Sequence, residues 1–315
     1  MCFLEYFLLL LLEIRIGRKL LTMSKFKKTY SEAARLRGYS SIFSSTSFSK
    51  LLKNDDYSFL TAKIERYDID KIGDKFTTYH DYIKYVYKQL LKGYRNEYLY
   101  KNTLIEYLLK KNYGADETVV FNEFKVGKSV ADLAFFNGIS KVFEIKTELD
   151  SEKRLESQLA DYCKLFQKCY IVTFETLVEK YLSINDFVGI IAVKISKEKL
   201  KIEEVREAQD NNEIDPLVLM RSLRTQEYKN IVSSYYHELP KMNSFDMFTK
   251  CQQLIAEIPY KTLNDLFILQ MKKRHTNTTF LSSSFMELRQ LCLSININSS
   301  QYDELNLKLN QPINI

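Results

Sequence analysis

Within Val142-Phe-Glu-Ile-Lys146 polar and apolar residues alternate. In a β-strand this puts Glu144 and Lys146 on one face and Phe143 and Ile145 on the other, because successive side chains point to opposite sides. An acid and a base two residues apart occur on many solvated sheet faces, so the triplet alone says little. Asp132 opens the preceding apolar run, and a hairpin brings it beside Glu144. Two carboxylates on one sheet face repel unless a cation lies between them. A hard divalent ion such as Mg²⁺ meets that need with one or two carboxylates, waters and substrate phosphate oxygens. Such an ion polarises a phosphoryl oxygen and activates water, while Lys146 orients that water or offsets charge growing in the transition state. The chemistry predicted is metal-assisted phosphodiester hydrolysis, with Mn²⁺ as a substitute for Mg²⁺.

Other residues join this set. Gln158 follows Leu155 by three positions and precedes Tyr162 by four, so it falls on the inward face of a helix where an apolar residue is expected. Gln158 and Tyr162 are neutral hydrogen-bonding groups, suited to hold a phosphate or the lysine from the far side of the site. Glu97 shares a helix face with Leu104 and Leu108 and offers a further acid, either to the metal or to an i,i+4 ion pair with Lys101. Glu123 alternates with Phe124 and is expected to be solvated.

The elements that must position these residues are legible as changes of period. Tyr79 to Leu91 and about Arg95 to Asn112 show apolar residues at helical spacing, stopped by Gly93 and Gly114. Thr118 to Val126, Val130 to Phe136 and Lys141 to Thr147 are short runs rich in Val, Phe and Ile, separated by Gly127-Lys-Ser and Asn137-Gly-Ile. They predict a three-strand meander. A two-residue Asn137-Gly138 turn would set Asp132 opposite Phe143 on the wrong face, whereas a three-residue Asn137-Gly138-Ile139 loop sets it opposite Glu144; the second register is predicted. A helix from about Glu152 to Gln167 follows, then strands at Cys169 to Phe174 and Val188 to Ile195. The order α-β-β-β-α-β defines an α/β (α+β) core. Beyond it, helices are predicted near Arg224 to Tyr236, Ser244 to Glu257, Leu263 to Arg274 and Ser283 to Leu291, with the Asn-rich end frayed or loosely packed. The expected division is an apolar extension at 1–22, a helical N-terminal region at 23–93, the core at 94–200 and a helical C-terminal domain at 201–315.

Composition narrows the chemistry further. A chain of 315 residues with 45% hydrophobic and 27% charged residues can bury a substantial core, and 22 Tyr and 20 Phe against 8 Gly and 4 Pro favour an aromatic interior over long linkers. The net charge of +6 is compatible with a phosphate-rich partner without requiring one. Five Cys with no C-x-x-C pair and three scattered His supply no zinc or haem ligand set. Reduced thiols in a cytoplasmic protein are expected. The apolar run at residues 3–12 is too short to span a bilayer and lacks a positive n-region. Met23, ahead of Ser-Lys-Phe-Lys-Lys, reads as a natural start, which makes residues 1–22 dispensable; a membrane-lying segment is the alternative. Arg221, Arg224 and Lys272-Lys-Arg274 are either phosphate contacts or a solvated basic face.

Taken together, Glu97 on its helix, Ala131-Asp132-Leu133, Glu144-Ile145-Lys146 and Gln158-x-x-x-Tyr162 resemble the PD-(D/E)XK nuclease superfamily in its RecB-like branch, which the Gln-Tyr helix marks. Asn96-Glu-Tyr-Leu-Tyr-Lys-Asn102, Glu123-Phe-Lys-Val-Gly-Lys128 and Glu144-Ile-Lys-Thr-Glu-Leu-Asp150 are similar to an uncharacterised bacterial family of that superfamily. The resemblance covers about Ser41 to Thr173, with a fainter echo at Arg221-Ser-Leu-Arg224. It implies a restriction-endonuclease-like core in which Asp132, Glu144 and the Ile145 carbonyl bind Mg²⁺ and Lys146 is the catalytic lysine. It further implies a nucleic-acid partner, DNA above RNA, no membrane partner, and a role by analogy in bacterial defence against phage or foreign DNA; homo-oligomerisation stays open. Ala131 stands where the superfamily's eponymous proline would be, as in other members of the RecB-like branch. The alternative function on the same fold is a nucleic-acid-binding or regulatory module that cleaves nothing.

Overall fold

The computed structural model describes residues 30–111, 118–148, 150–197, 199–241, 243, 245–274, 281 and 283–315. The extension at 1–22 lies outside them, as does His275.

The first helices, α1 (Glu32–Ser40), α2 (Ser45–Asn54) and α3 (Ser58–Lys63), lead into two long ones, α4 (Tyr79–Gly93) and α5 (Glu97–Lys111). Thr78 starts α4 as a capping box: its hydroxyl accepts from the Asp81 N–H while the Asp81 carboxylate accepts from the Thr78 N–H. Three antiparallel strands follow, β1 (Val119–Val126), β2 (Ser129–Phe136) and β3 (Ser140–Lys146). Helix α6 (Leu155–Tyr162) then leads to β4 (Lys168–Phe174), short helix α7 (Val178–Leu182), and β5 (Gly189–Ser196) and β6 (Lys199–Arg206). Strands β3, β4 and β5 pair in parallel and β6 returns antiparallel, giving one sheet in the order β1-β2-β3-β4-β5-β6. The expected α-β-β-β-α-β order is present.

The rest of the chain is helical: α8 (Pro216–Ser222), α9 (Thr225–Tyr236), α10 (Met247–Ala256), α11 (Tyr260–Lys273), α12 (Arg289–Ser294) and α13 (Ser299–Leu309). Two layers of helices cover the sheet. Leu133, Phe135, Phe143, Ile145 and Val172 face α1 to α5 together with Leu291, Leu305 and Leu309 from the chain's end. Ala134, Phe136, Val142 and Ile171 face α6, joined by Leu219, Ile231, Ile255 and Phe267. Residues 216–273 and 283–309 thus pack on opposite faces of the sheet. Among the described residues no helix is long and apolar enough to cross a membrane.

Several expectations are corrected. The division at Lys201 falls inside β6, an edge strand whose Leu200 and Ile202 alone turn inward while its remaining positions are charged or exposed; such an edge carries little apolar signal. Helix α6 is shorter than expected because tight bonds such as Leu165 N–H to the Tyr162 carbonyl turn the chain back toward β4. Helix α8 was absent from the periodic reading. Between Ser283 and Leu291 there is a single 3-10 turn before α12 begins. The Asn-rich end is not frayed: Asn298 and Gln301 form a capping box for α13, which buries Tyr302, Leu305 and Leu309. Cys163 and Cys169, with no sequence signature as a pair, stand with their sulfurs 3.3 Å apart as free thiols.

Candidate active site

The hairpin between β2 and β3 closes with Phe136 opposite Ser140 and Leu133 opposite Phe143. This is the three-residue loop Asn137-Gly138-Ile139, with Gly138 at φ +104°, a conformation that glycine tolerates best. The register continues to Asp132 opposite Glu144, but the paired ladder ends one residue earlier, at Leu133. There β2 leaves β3, and Asp132 folds into the opening so that its Oδ2 accepts the Ile145 N–H at 2.7 Å. A residue's N–H and C=O point to the same edge of its strand, so the Ile145 carbonyl faces this opening too.

Glu144 and Lys146 are buried on the face opposite Phe143 and Ile145. Lys146 Nζ donates to Glu144 Oε1 at 2.8 Å and to Gln158 Oε1 at 3.2 Å. Glu144 Oε2 lies 2.7 Å from the Tyr162 hydroxyl. Helix α6 therefore brings both inward polar residues to the strand, with the Gln158 amide holding the lysine. Burial, reinforced by Glu144, pushes the Tyr162 pKa far up, so the phenol stays a donor.

Glu97 is half exposed, and its Oε1 takes the Lys101 ammonium at 2.6 Å. The ion pair is present, and Glu97 also lines the cleft that holds Asp132 and Glu144. Lys101, which the sequence offered only as that partner, also reaches Asp132 Oδ1 at 3.0 Å and is itself buried. Burial raises the Asp132 pKa to about 6, opposed by Lys101 and aided by Glu144 and Glu97. For Lys101 burial acts downward, but Asp132 and Glu97 outweigh it and the net shift is up.

These groups line a cleft of about 640 Å³. At its rim stand Lys128 of the β1–β2 turn, Arg154 just ahead of α6, and exposed Val130. Glu123 is exposed as expected, yet it lies across from Asp132, between the pairs Asn122–Leu133 and Phe124–Ala131, at φ +56°. Asp161 of α6 ties the turn down: its Oδ2 accepts the Lys128 N–H at 3.2 Å and the Ser129 hydroxyl at 2.7 Å. The basic residues expected in the C-terminal part lie elsewhere. Arg274 grips both oxygens of Glu227, at 2.7 and 2.6 Å, and the Ser222 carbonyl at 3.1 Å, so it clamps helices and is no open phosphate contact.

Hard oxygen donors on Asp132, Glu144 and the Ile145 carbonyl suit an ion such as Mg²⁺. Among the described residues no group of three or more His, Cys, Asp or Glu side chains gathers to hold a metal, so the two carboxylates need backbone and solvent oxygens to complete a shell. Every carboxylate oxygen of the pair already accepts one hydrogen bond and keeps a further lone pair. The donor set fits the ion, at the cost of moving the Lys101 ammonium.

Fold and cleft together define a mixed α/β protein with a buried acid and lysine cluster at the splayed end of a hairpin. Residues 91–299, more than half of the chain, match the family of Bacteriophage P4 protein cII, and the chain belongs to that family. It is 28% identical over 190 residues to Protein cII of Enterobacteria phage P4, covering 58% of this chain and 69% of that protein. A solved structure, the SPO1766 protein of unknown function from Silicibacter pomeroyi, aligns with a TM-score of 0.31 at 12% identity, covering 48% of this chain and 98% of its own; so slight a likeness bears on neither fold nor function.

Proposed function

We propose that this chain is a divalent-metal-dependent nuclease of the PD-(D/E)XK type, RecB-like branch, hydrolysing phosphodiester bonds of nucleic acid, with DNA as substrate. Its setting in this reading is the cytoplasm, in defence against phage or foreign DNA. The observation that carries the reading is the convergence of Asp132, Glu144, Lys146 and Gln158 in one cleft, with the buried Tyr162 hydroxyl on Glu144 behind them.

Asp132, Glu144 and the Ile145 carbonyl would hold the Mg²⁺ or Mn²⁺, with Glu97 engaged through Lys101. When bound, the ion supplies Lewis acidity toward a phosphoryl oxygen. Lys146, fixed between Glu144 and Gln158, can hold an attacking water or offset charge growing on the phosphate. Lys128 and Arg154 at the rim can position the backbone phosphates on either side.

One observation favours a second reading, a non-cleaving nucleic-acid-binding module. Lys101 and Lys146 already pair with Asp132 and Glu144, so each of the two candidate metal-binding carboxylates has a counter-charge without an ion. Cleavage of linear, circular, single- and double-stranded substrates, with Mg²⁺ or with excess chelator, separates the two. The nuclease reading expects cleavage that chelator, Asp132→Ala or Glu144→Ala each abolishes. Binding without cleavage in Mg²⁺ and Mn²⁺ would favour the second reading, and undiminished cleavage in chelator would remove the metal site.

A further inference from the structure

Lys101 is a lysine in an unusual place. Its side chain is only 5% exposed, and its ammonium joins two acids from different elements: Glu97, one turn earlier on α5, and Asp132 on β2. The far oxygen of Asp132 is fixed by the Ile145 N–H, so Oδ1, where Lys101 sits, is the oxygen open to exchange. A divalent ion bound by Asp132 must share that oxygen with an ammonium or displace it, and like charges this close in a poorly solvated cleft repel strongly.

We propose that Lys101 is an internal counter-cation that competes with the divalent ion for Asp132 and so sets the metal affinity of the substrate-free protein. The claim takes from the nuclease reading only that Asp132 and Glu144 ligate the ion. Glu97 makes the exchange feasible. It is half exposed and pairs with the same ammonium, so Lys101 can leave Asp132 without losing its whole counter-charge. Lys101 is therefore a positioning residue whose charge opposes the ion at Asp132. Lys146 differs: it pairs with Glu144 and is held from behind by Gln158.

The test is Mn²⁺ binding to the full chain without nucleic acid, followed by calorimetry and by the electron paramagnetic resonance of free Mn²⁺, in wild type, Lys101→Met, Lys101→Gln and Lys101→Arg. Removing the charge leaves Asp132 and Glu97 facing one another with no cation, so Lys101→Met should bind Mn²⁺ about tenfold or more tighter, and Mn²⁺ should raise its Tm more than it raises that of wild type. Lys101→Arg keeps the charge and should bind as wild type does. Lys101→Gln gives the same answer as Lys101→Met if the latter does not fold. A lysine that merely supports the fold would lower Tm and leave Mn²⁺ affinity unchanged, and unchanged or weaker binding in the neutral variants overturns the proposal. If wild type cleaves with Mn²⁺ while the neutral variants bind it no tighter, this proposal falls and the nuclease reading stands. If the neutral variants bind Mn²⁺ tighter but wild type never cleaves, the nuclease reading falls alone. If neither wild type nor variants bind Mn²⁺, both fall.

Discussion

Tyr162 carries one hydroxyl proton and has two acceptors in reach, Glu144 Oε2 at 2.7 Å and the Val130 carbonyl at 2.9 Å. The shorter contact to a charged acceptor takes the proton, and the Gln158 amide N–H donates to the tyrosine hydroxyl oxygen at 3.5 Å. Helix α6 thus fixes the Glu144 carboxylate from one side while Lys146 fixes it from the other. Tyr162→Phe keeps the packing and removes the donor, leaving a buried carboxylate oxygen unsatisfied. We expect a loss of about 1–3 kcal/mol in stability and, in the nuclease reading, a fall in cleavage of about tenfold or more through a misplaced Glu144. Urea denaturation and steady-state rates on one substrate check both, and an unchanged rate would show that Tyr162 serves the fold alone.

Asp132 makes the stability of the metal-free protein depend on pH. Its pKa is raised from an ordinary 3.8 to about 6, chiefly by burial. Between those values the folded chain binds more protons than the unfolded one. This group's contribution is therefore largest below about pH 4 and is lost as pH rises through 6. The full difference is on the order of 3 kcal/mol at 1.36 kcal/mol per pH unit. Asp132→Asn cannot ionise, so in chelator its Tm relative to wild type should climb between pH 4 and pH 7. A Tm difference that stays flat across this range would show that Asp132 is ionised throughout.

The site's frame was legible where local patterning decides it. Alternation in Val142 to Lys146 placed Glu144 and Lys146 on one face, and the length of the Asn137 to Ile139 loop set Asp132 in register with Glu144. Gln158 was visible as a polar residue on an apolar helix face. What stayed hidden depends on contacts between distant segments. A lysine in a helix carries no mark of burial, and the second partner of Lys101 is on another element. Asp161 looks like any surface acid until the chain folds and it takes the β1–β2 turn, where a Cβ on Gly127 would crowd its carboxyl at 3.3 Å. Strand β6 and helix α13 were missed because charge on an edge strand and asparagine at a helix cap both resemble loop composition.

Helix α13 is a structural requirement and not a tail. Leu305 is fully buried, and Lys308 reaches across to the end of α2, donating to the Leu51 and Leu52 carbonyls at 3.2 and 2.7 Å. The Leu51 carbonyl also takes the Asp55 N–H, so the ammonium adds a second donor there, and a cation at the end of a helix opposes its dipole. Leu305→Ala should cost about 2–5 kcal/mol, and Lys308→Met about 1 kcal/mol. Chemical denaturation measures both. If Leu305→Ala unfolds at the wild-type midpoint, this helix contributes nothing to the common core.

The sharpest separation of roles lies between Lys146 and Gln158. Lys146 Nζ is 2.8 Å from Glu144 and 3.2 Å from Gln158, so it can act on a water or a phosphate oxygen only from a position the glutamine helps to fix. In the nuclease reading the lysine's charge matters most in the transition state, where negative charge grows, and less in the ground-state complex. Lys146→Ala should therefore abolish cleavage while nucleic-acid binding in Ca²⁺ stays close to wild type. Gln158→Ala removes one support and leaves the ammonium paired with Glu144. It should lower kcat by about tenfold to a hundredfold with little change in KM, as expected for an interaction that chiefly serves the transition state. If Lys146→Ala cleaves at the wild-type rate, the ammonium has no part in the chemistry and its pairing with Glu144 is structural. If Gln158→Ala instead raises KM at constant kcat, the glutamine holds substrate and not the lysine.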